Sequence, residues 1–350
     1  DDQDGPINAT AYTISVTATD GDGGSASATT SVTVNNVAPT LDLLGASSVD
    51  EGATYTLTLA NLVDPGADTV TGYDIDWGDG SAVQTVTVLG DVDHVYTDDA
   101  NVTITVTAND EDGSYSFTKS LTVDNVAPSV GLSLDQATID EGDTVTLTIT
   151  GSDPAGGNDP LSYDIDWGDG NTETVLASSL TNGEISHTYA DDQDGPVNAT
   201  AYTISVTATD GDGGSASATA SVTVNNVAPS APLSGASQVD TGVAYDLTIG
   251  SITDPGADSV TQYVIDWGDG MMDTITASQL STLGGVVQHV YGTIGPLTIA
   301  VTAIDEDGSF PLGTVGVVVD PPPAGVSVNV GGPVVLDEGD TLNRTVTFTD

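Results

Sequence analysis

The chain has 350 residues, of which 52 are Asp or Glu and only 2 are Lys or Arg, so its formal net charge at pH 7 is −50. This charge excludes nucleic acids and anionic membranes as partners and favours cations. Cysteine is absent, which excludes disulfides and thiol chemistry, and no apolar run approaches the ~20 residues that cross a bilayer, so we expect no membrane insertion in this segment.

The chain is built from repeats. Residues 1–40 recur at 191–230 with three changes, and the phrase VNNVAP or VDNVAP stands at the unit boundaries near residues 36, 126 and 226. Such self-similarity indicates an array of domains, and we expect the chain to be a window on a longer one. The predicted boundaries are 1–36 (C-terminal part of a domain), 37–126, 127–226 and 227–320 (whole domains), and 321–350 (N-terminal part of a further domain).

Within each unit, apolar and polar residues alternate in short runs. In the run TVTLTIT, Val145, Leu147 and Ile149 share one face, and AYTISVTAT and SASATASVTV show the same period of two. Clusters of Gly, Pro and Asp separate the runs. Seven or so short strands per unit predict an all-β fold of tandem immunoglobulin-like β-sandwiches that form an extended rod.

The octapeptide YDIDWGDG occurs twice and YVIDWGDG once. In the copy at 163–170, strand parity directs Tyr163, Ile165 and Trp167 inward, and GDG predicts the turn that ends the strand. A calcium loop of the EF-hand type does not match, because the fifth position is Gly and no Glu follows at the twelfth. The stretch is therefore predicted to be mainly scaffold.

The WGDG turn, the HTY or HVY phrase about 20 residues later and the strand and turn YTISVTATDGDGG resemble the polycystic kidney disease (PKD) repeat, an immunoglobulin-like β-sandwich. The family pattern often has an aromatic residue after Trp, roughly WDFGDG, and that residue is missing here. The resemblance covers essentially the entire chain. It implies an extracellular or cell-surface protein whose repeats are spacers, adhesion modules or accessory domains beside a secreted enzyme, with calcium binding as in several bacterial relatives.

The acidic residues favour calcium. This ion takes six to eight hard oxygen ligands, and the chain has 45 Asp against 7 Glu, a bias that suits short carboxylates in turns. Asp is also a common turn former. If the units follow the immunoglobulin strand order, acidic turns of successive domains meet beside each linker, and this arrangement resembles the calcium-rigidified junctions of cadherins.

The expected ligands fall into three junctions. At the first junction they are Asp2, Asp4, Asn35, Asn36, Asp64, Asp110 and Asp112. At the second they are Asp50, Glu51, Asp124, Asn125, Asp153, Asp210 and Asp212. At the third they are Asp140, Glu141, Asp192, Asp194, Asn225, Asn226, Asp254, Asp305 and Asp307.

Two other interpretations of the acidity stay open. The aspartates can be solvated turn residues without an ion. They can also be a halophilic surface, which predicts a broad response to molar monovalent salt, whereas calcium sites predict saturation at micromolar to millimolar calcium.

No residue pattern predicts an enzyme. His94, His187 and His289 each precede a Tyr by two residues and recur once per domain, which favours a structural role, and no G-x-S-x-G motif occurs. We expect a structural or adhesive segment of a secreted cell-surface or filament protein, with calcium and the neighbouring domains as partners. Further partners are like chains in a fibre, a surface receptor or a polysaccharide; the alternative function is a non-catalytic accessory region of a secreted hydrolase.

Overall fold

The computed structural model describes residues 9–65, 69–192, 199–323, 325, 327–329 and 331–349. Strands dominate these residues, and they form a series of immunoglobulin-like sandwiches, so the predicted fold class is confirmed. In this part of the chain no helix has the length and apolar character needed to span a membrane.

The strands group into a hairpin, three sandwiches and a terminal pair. The hairpin has β1 (Ala9–Thr19) and β2 (Ser25–Asn35). The first sandwich has β3 (Thr40–Leu44), β4 (Ser48–Asp50), β5 (Thr54–Val63), β6 (Gly72–Asp76), β7 (Gln84–Val86), β8 (Gly90–Val95), β9 (Ala100–Asn109) and β10 (Ser114–Asp124). The second has β11 (Ser129–Leu134), β12 (Thr138–Asp140), β13 (Thr144–Ser152), β14 (Ser162–Asp166), β15 (Thr172–Leu176), a short 3-10 turn (Ala177–Ser179), β16 (Glu184–Thr188), β17 (Ala199–Thr209) and β18 (Ser215–Asn225).

The third sandwich repeats this order with one added helix. It has β19 (Leu233–Gly235), β20 (Gln238–Asp240), β21 (Ala244–Ile249), β22 (Gln262–Asp266), β23 (Met272–Thr276), α1 (Ala277–Thr282), β24 (Val286–Val290), β25 (Gly295–Ile304) and β26 (Ser309–Asp320). The terminal pair is β27 (Ser327–Asn329) and β28 (Thr347–Thr349).

Each sandwich has a three-stranded and a five-stranded sheet. In the first sandwich the strand orders are β3-β5-β8 and β4-β10-β9-β6-β7, and the other two sandwiches repeat both orders with their equivalent strands. Neighbouring strands are antiparallel except at one edge, where the short β4 runs parallel to β10. The equivalent pairs β12 with β18 and β20 with β26 are parallel too. This edge brings the end of a short strand beside the end of the last strand of the same sandwich.

By compactness the chain divides into two units. One comprises Asp1–Ser133, Thr148–Ile185 and Ile204–Ala220, and the other comprises Leu134–Leu147, Ser186–Thr203 and Ser221–Asp350. The first sandwich lies in the first unit and the third in the second, while the strands of the second sandwich are divided between them.

The predicted inward faces are confirmed. Val145, Leu147 and Ile149 are buried. Tyr163 and Trp167 are buried as well, whereas the intervening aspartates are exposed. The alternation of the sequence therefore reports the buried face of these strands.

Two of the repeated histidines, His94 and His289, pack against the core tryptophans. In the first sandwich the rings of His94 and Trp77 stack with centroids 4.6 Å apart, and His94 Nε2 lies 2.7 Å from Asp79 Oδ2 in the GDG turn. The Tyr96 hydroxyl donates to the Trp77 carbonyl oxygen at 3.1 Å. The third sandwich repeats the stack with His289, again at 4.6 Å. These contacts attach the turn to the core and give the histidines a structural role.

We expect the two glycines of this turn to differ in their tolerance of a side chain. Both Gly78 and Gly80 have φ of 80°, but a Cβ on Gly78 would lie 2.6 Å from the Thr103 carbonyl oxygen, whereas Gly80 faces open space. Gly80→Ala should cost about 1–2 kcal/mol for the left-handed backbone, and Gly78→Ala about 1–3 kcal/mol more for the added overlap. Hydrogen exchange of β6 and β9 measures this locally, and equal losses of protection in the two variants would contradict it.

Candidate metal centre

A buried glutamate joins each of the first two sandwiches to the linker that follows it. Glu51 comes directly after β4; its backbone N–H donates to the Asp124 carbonyl oxygen at 3.0 Å, and its Oε1 accepts the N–H of Val126 at 2.9 Å. In the second sandwich Glu141 Oε1 accepts the N–H of Val227 at 2.7 Å. Both glutamates are 2 % exposed, and the Oε2 of each is buried without a hydrogen-bond partner.

A pair of aspartates lies beside each glutamate. Asp98 and Asp99 follow β8, and Asp191 and Asp192 follow β16. The segment is held in place because the N–H of Gly52, next to the first glutamate, donates to the Tyr96 carbonyl oxygen at 2.8 Å, and the second sandwich repeats this bond at 2.8 Å. The C-terminal pole of a sandwich thus presents three carboxylates.

The N-terminal pole of the next sandwich supplies the other carboxylates. They come from the loop after β13 and from the hairpin turn between β17 and β18. In that turn Asp210 Oδ1 accepts the N–H groups of Asp212 and Gly214 at 3.1 and 2.7 Å, and Asp210 Oδ2 lies 3.4 Å from the linker amide Asn125 Nδ2. Hydrogen bonds inside the turn therefore fix these aspartates toward the linker.

The two poles together form two acidic clusters of equivalent composition, each with seven carboxylates and one linker asparagine, and each lying within one compact unit. The first acidic cluster consists of Glu51, Asp98, Asp99, Asp153, Asp159, Asp210, Asp212 and Asn125. The second acidic cluster consists of Glu141, Asp191, Asp192, Asp254, Asp258, Asp305, Asp307 and Asn226.

Within each cluster, sets of three carboxylates come close enough to share a cation. One oxygen from each member of such a set lies within 4.8 Å of the other two. Calcium–oxygen distances are about 2.3–2.6 Å, so oxygens on opposite sides of one ion are roughly this far apart. The sets are Glu51, Asp98 and Asp159; Asp98, Asp99 and Asp212; Glu141, Asp191 and Asp258; and Asp191, Asp192 and Asp307.

Burial and mutual repulsion raise the pKa of several of these carboxyls. Burial, followed by the charges of Asp307 and Asp191, raises the pKa of Asp192 to about 6. Burial also raises the pKa of Glu141, against the hydrogen bond from the linker. The pKa of Asp258 is raised by burial and by Glu141. Without a cation, the clusters thus hold their charge at an energetic cost.

Many residues that the sequence predicts as ligands are members of the clusters. Asp50, Asp124 and Asp140 are exposed and belong to none of the sets of three. Asn225 is not a member either; its Nδ2 donates to Asp140 Oδ1 at 3.2 Å. Asp2, Asp4 and Asp194 lie outside the described residues. The cluster members predicted from the sequence are Glu51, Asn125, Asp153, Asp210, Asp212, Glu141, Asp192, Asn226, Asp254, Asp305 and Asp307.

Four of the residues predicted for the first junction, Asn36, Asp64, Asp110 and Asp112, lie near Tyr115 of the first sandwich. Asn36 Nδ2 donates to the Tyr115 hydroxyl at 2.6 Å. Burial and then the nearby charges raise the pKa of that hydroxyl; the charges belong to Asp110, Asp112 and Asp64. Asn35 is exposed at the end of β2.

Five cluster members are not among the ligands predicted from the sequence: Asp98, Asp99, Asp159, Asp191 and Asp258. A signal for three of them, Asp98, Asp99 and Asp191, is present in the sequence. In both YTDD and YADD, one residue separates the buried tyrosine from an Asp-Asp pair. The pair places a repeated negative charge at the same pole as the glutamate.

The third sandwich has no such acidic set at its C-terminal pole. Thr241 occupies the position of the glutamates, and its N–H and hydroxyl both donate to the Asp320 carbonyl oxygen at 2.8 Å. Thr293 and Ile294 occupy the positions of the Asp-Asp pair, two and three residues after Tyr291, so the pair is replaced too. In the linker, the prolines at 321–323 stand in place of the asparagine and the valine. A proline has no backbone N–H, so this linker lacks the donor that the glutamates bind in the other two.

A family model for the PKD domain matches residues 36–124 and 125–225, together more than half of the chain. The chain belongs to the PKD domain family. The resemblance carried by WGDG and the following motifs is thus confirmed. The two matched PKD segments contain the first and second sandwiches, and the third sandwich repeats their strand order.

Solved structures give further comparisons for this PKD protein. A tetra-tandem repeat in the extending region of a large adhesion protein is 18% identical, with a TM-score of 0.45, and the match covers 90% of this chain and 82% of that one. Fibronectin(III)-like modules of CbhA from Clostridium thermocellum are 16% identical (TM-score 0.21; 54% and 93% covered). Immunoglobulin domains 1–5 of Sidekick-1 are 13% identical (TM-score 0.34; 90% and 66% covered). No curated protein matches the sequence.

The raised carboxyl pKa values predict that the free energy of unfolding of the metal-free protein falls as the pH rises. The pKa of Asp192 rises from an ordinary 3.8 to about 6, so the folded chain binds a proton that the unfolded chain has released in this range. Its contribution to the free energy of unfolding is therefore present below pH ~4 and is lost as the pH rises to ~6.

Thermal melts of the metal-free chain between pH 4.5 and 7.5 measure this effect. Asp192→Asn should flatten the fall in melting temperature with rising pH. Asp143→Asn, an exposed residue at the same pole, should leave the slope of the parent. A slope that is the same in all three chains would contradict the assignment to Asp192.

Proposed function

We propose that this chain is a structural or adhesive segment of a secreted, multi-domain cell-surface or filament protein, in which calcium in the two acidic clusters stiffens the joints between successive sandwiches. The observation that carries the proposal is the buried glutamate of each joint. Glu51 and Glu141 are 2 % exposed and each has one carboxylate oxygen without a hydrogen-bond donor. A buried carboxylate without compensation costs several kcal/mol, and a cation supplies the compensation.

The third sandwich supports a ligand role for these acids. Its backbone makes the same bonds without them: Thr241 N–H donates to the Asp320 carbonyl oxygen and Gly242 N–H to that of Tyr291, at 2.8 and 3.1 Å. The fold of the pole therefore does not require a glutamate or an Asp-Asp pair. Their presence in the first two sandwiches is explained by an occupant of the joint.

The chemistry of the clusters favours calcium among divalent cations. All charged donors are carboxylates, and the linker side chain is an amide, which are the hard oxygen ligands that calcium prefers. Neither cysteine nor histidine belongs to a cluster, so the softer ligands typical of zinc and copper sites are missing from these residues.

The contacts of the joint support stiffening. In the first unit, Asn158 Nδ2 of the second sandwich donates to the Thr97 carbonyl oxygen of the first, at 2.9 Å. In the second unit, Ala257 N–H of the third sandwich donates to the Ala190 carbonyl oxygen of the second, also at 2.9 Å. Each bond lies beside an acidic cluster, so a cation that relieves the repulsion would keep these bonds closed.

Catalysis is not expected. His94 and His289 are engaged with a core tryptophan and a turn aspartate, and the acidic clusters recur at successive joints, whereas an enzyme has one reaction centre. The accessory-region alternative is not favoured either, because Trp77, Trp167 and Trp267 are at most 1 % exposed and offer no platform for a polysaccharide.

A calcium titration of the metal-depleted full chain at fixed ionic strength tests the proposal. We expect the melting temperature to rise and saturate between micromolar and millimolar calcium, because an ion that binds only the folded state adds about 2.7 kcal/mol at a hundredfold excess over Kd. Small-angle scattering should show a narrower distribution of dimensions with calcium. A response no larger than that to matched monovalent salt would contradict calcium binding and favour a halophilic surface.

The paired variant Glu51→Gln with Glu141→Gln sharpens this test. Glutamine keeps an oxygen that accepts the linker N–H and removes the charge, so we expect the calcium concentration at half-saturation to rise about tenfold or more, which corresponds to ~1.4 kcal/mol per decade. Asp143→Asn is the matched control at the same pole and should leave the titration unchanged. Equal curves for both variants would remove the glutamates from the proposed sites.

A further inference from the structure

We propose that each acidic cluster holds two divalent cations, bridged by Asp98 in the first cluster and by Asp191 in the second. This inference rests on the proposed function and specifies the stoichiometry and the division of ligands. The structure divides each cluster into two sets of three carboxylates, and the two sets share one residue. The shared residue is in both cases the first aspartate of the Asp-Asp pair.

The division into sets follows from distance. Within a set, one oxygen of each residue lies within 4.8 Å of the others, but the five residues of the two sets do not form one such group. Oxygens around a single calcium ion must all fit within about twice the calcium–oxygen distance of 2.3–2.6 Å. The two sets in a cluster therefore surround two positions, and a carboxylate with two oxygens can serve both.

In the second cluster, each position has its own buried carboxylate without a donor. The first position has Glu141, which is 2 % exposed with Oε2 unpartnered. The second position has Asp192, which is fully buried with both Oδ atoms unpartnered. These two carboxylates belong to different sets, so one ion in either position would leave the other carboxylate uncompensated.

Charge gives a second, independent reason for two ions. Each cluster has seven carboxylates, and the entire chain has only two Lys and Arg residues to oppose 52 acids. One divalent ion would leave five formal negative charges in a cluster, and two ions leave three. Asp254 and Asp305 also have buried unpartnered oxygens, as does the amide of Asn226, which provides ligands beyond the two sets of three.

Counting the ions that each variant loses tests the inference in the full chain. After equilibrium dialysis against calcium, elemental analysis gives the ions bound per chain. We expect Asp191→Asn to lose two ions, and Asp258→Asn and Asp192→Asn to lose one each, because each of the latter belongs to one set. Asp143→Asn should lose none. Asp98→Asn repeats the bridging test in the first cluster, at a residue whose own side chain is exposed, and should also lose two ions.

Lanthanide luminescence provides a readout that does not depend on stability. Two ions that share a carboxylate are about 3.5–4 Å apart, so a chain loaded with a mixture of terbium and europium should show energy transfer between them. We expect the transfer from the second cluster to persist in Asp143→Asn and to be lost in Asp191→Asn, Asp192→Asn and Asp258→Asn.

The outcomes separate this inference from the proposed function. Loss of two ions in the bridge variants and one in the others supports two ions per cluster. Loss of one ion in every cluster variant, without energy transfer, overturns the bridged pair and leaves one calcium per joint. Unchanged counts in all variants overturn both the pair and the proposed calcium joints.

Discussion

The joint between two sandwiches depends on one carboxylate that is only half satisfied. Glu51, and Glu141 in the next sandwich, use one oxygen to accept a valine N–H of the outgoing linker and keep the other buried without a donor. The hydrogen bond fixes the linker. The second oxygen would be stabilised by a positive charge, since a buried anion without compensation costs free energy. Two further carboxylates lie in the same set of three as each glutamate, so the position of the glutamate determines where a cation could act.

The sandwich scaffold and the chemistry of the joint are separable. All three sandwiches place a short strand parallel to their last strand, so the residue after the short strand always meets the start of the linker. In the first two sandwiches that residue is a glutamate, and in the third it is Thr241, which satisfies its hydroxyl on the Asp320 carbonyl oxygen. Because a threonine carries no charge that needs a cation, the same fold builds one joint with a buried glutamate, where the proposed ion would bind, and one joint without it. The substitution is accompanied by prolines in the linker, which remove the N–H that a glutamate would accept.

Strand faces could be predicted from the sequence because a period of two has one physical meaning in a half-buried sheet. That rule found Val145, Trp167 and their neighbours. The same rule, applied to the strand ends, would also have removed Asp50 and Asp124 from the ligand set, since each follows an inward valine and so faces outward. Asp98 and Asp191 could not be reached in this way. They follow the end of a strand, where parity no longer fixes direction, and their approach to the next sandwich depends on a tertiary hydrogen bond to the preceding tyrosine carbonyl.

The two clusters have equivalent residues but different exposure, and this difference has a physical consequence for a pair of ions. In the first cluster the set of Asp98, Asp99 and Asp212 is open, with two of its three residues exposed. In the second cluster the corresponding set contains Asp192 and Asp307, which are 0 and 4 % exposed. Carboxylates that stay hydrated repel each other less and gain less from an ion, whereas buried ones gain more because the surrounding dielectric is lower. An ion bound as proposed would therefore be coupled more strongly to folding in the buried set than in the open set, and equal ligands at successive joints would give unequal dependence on calcium.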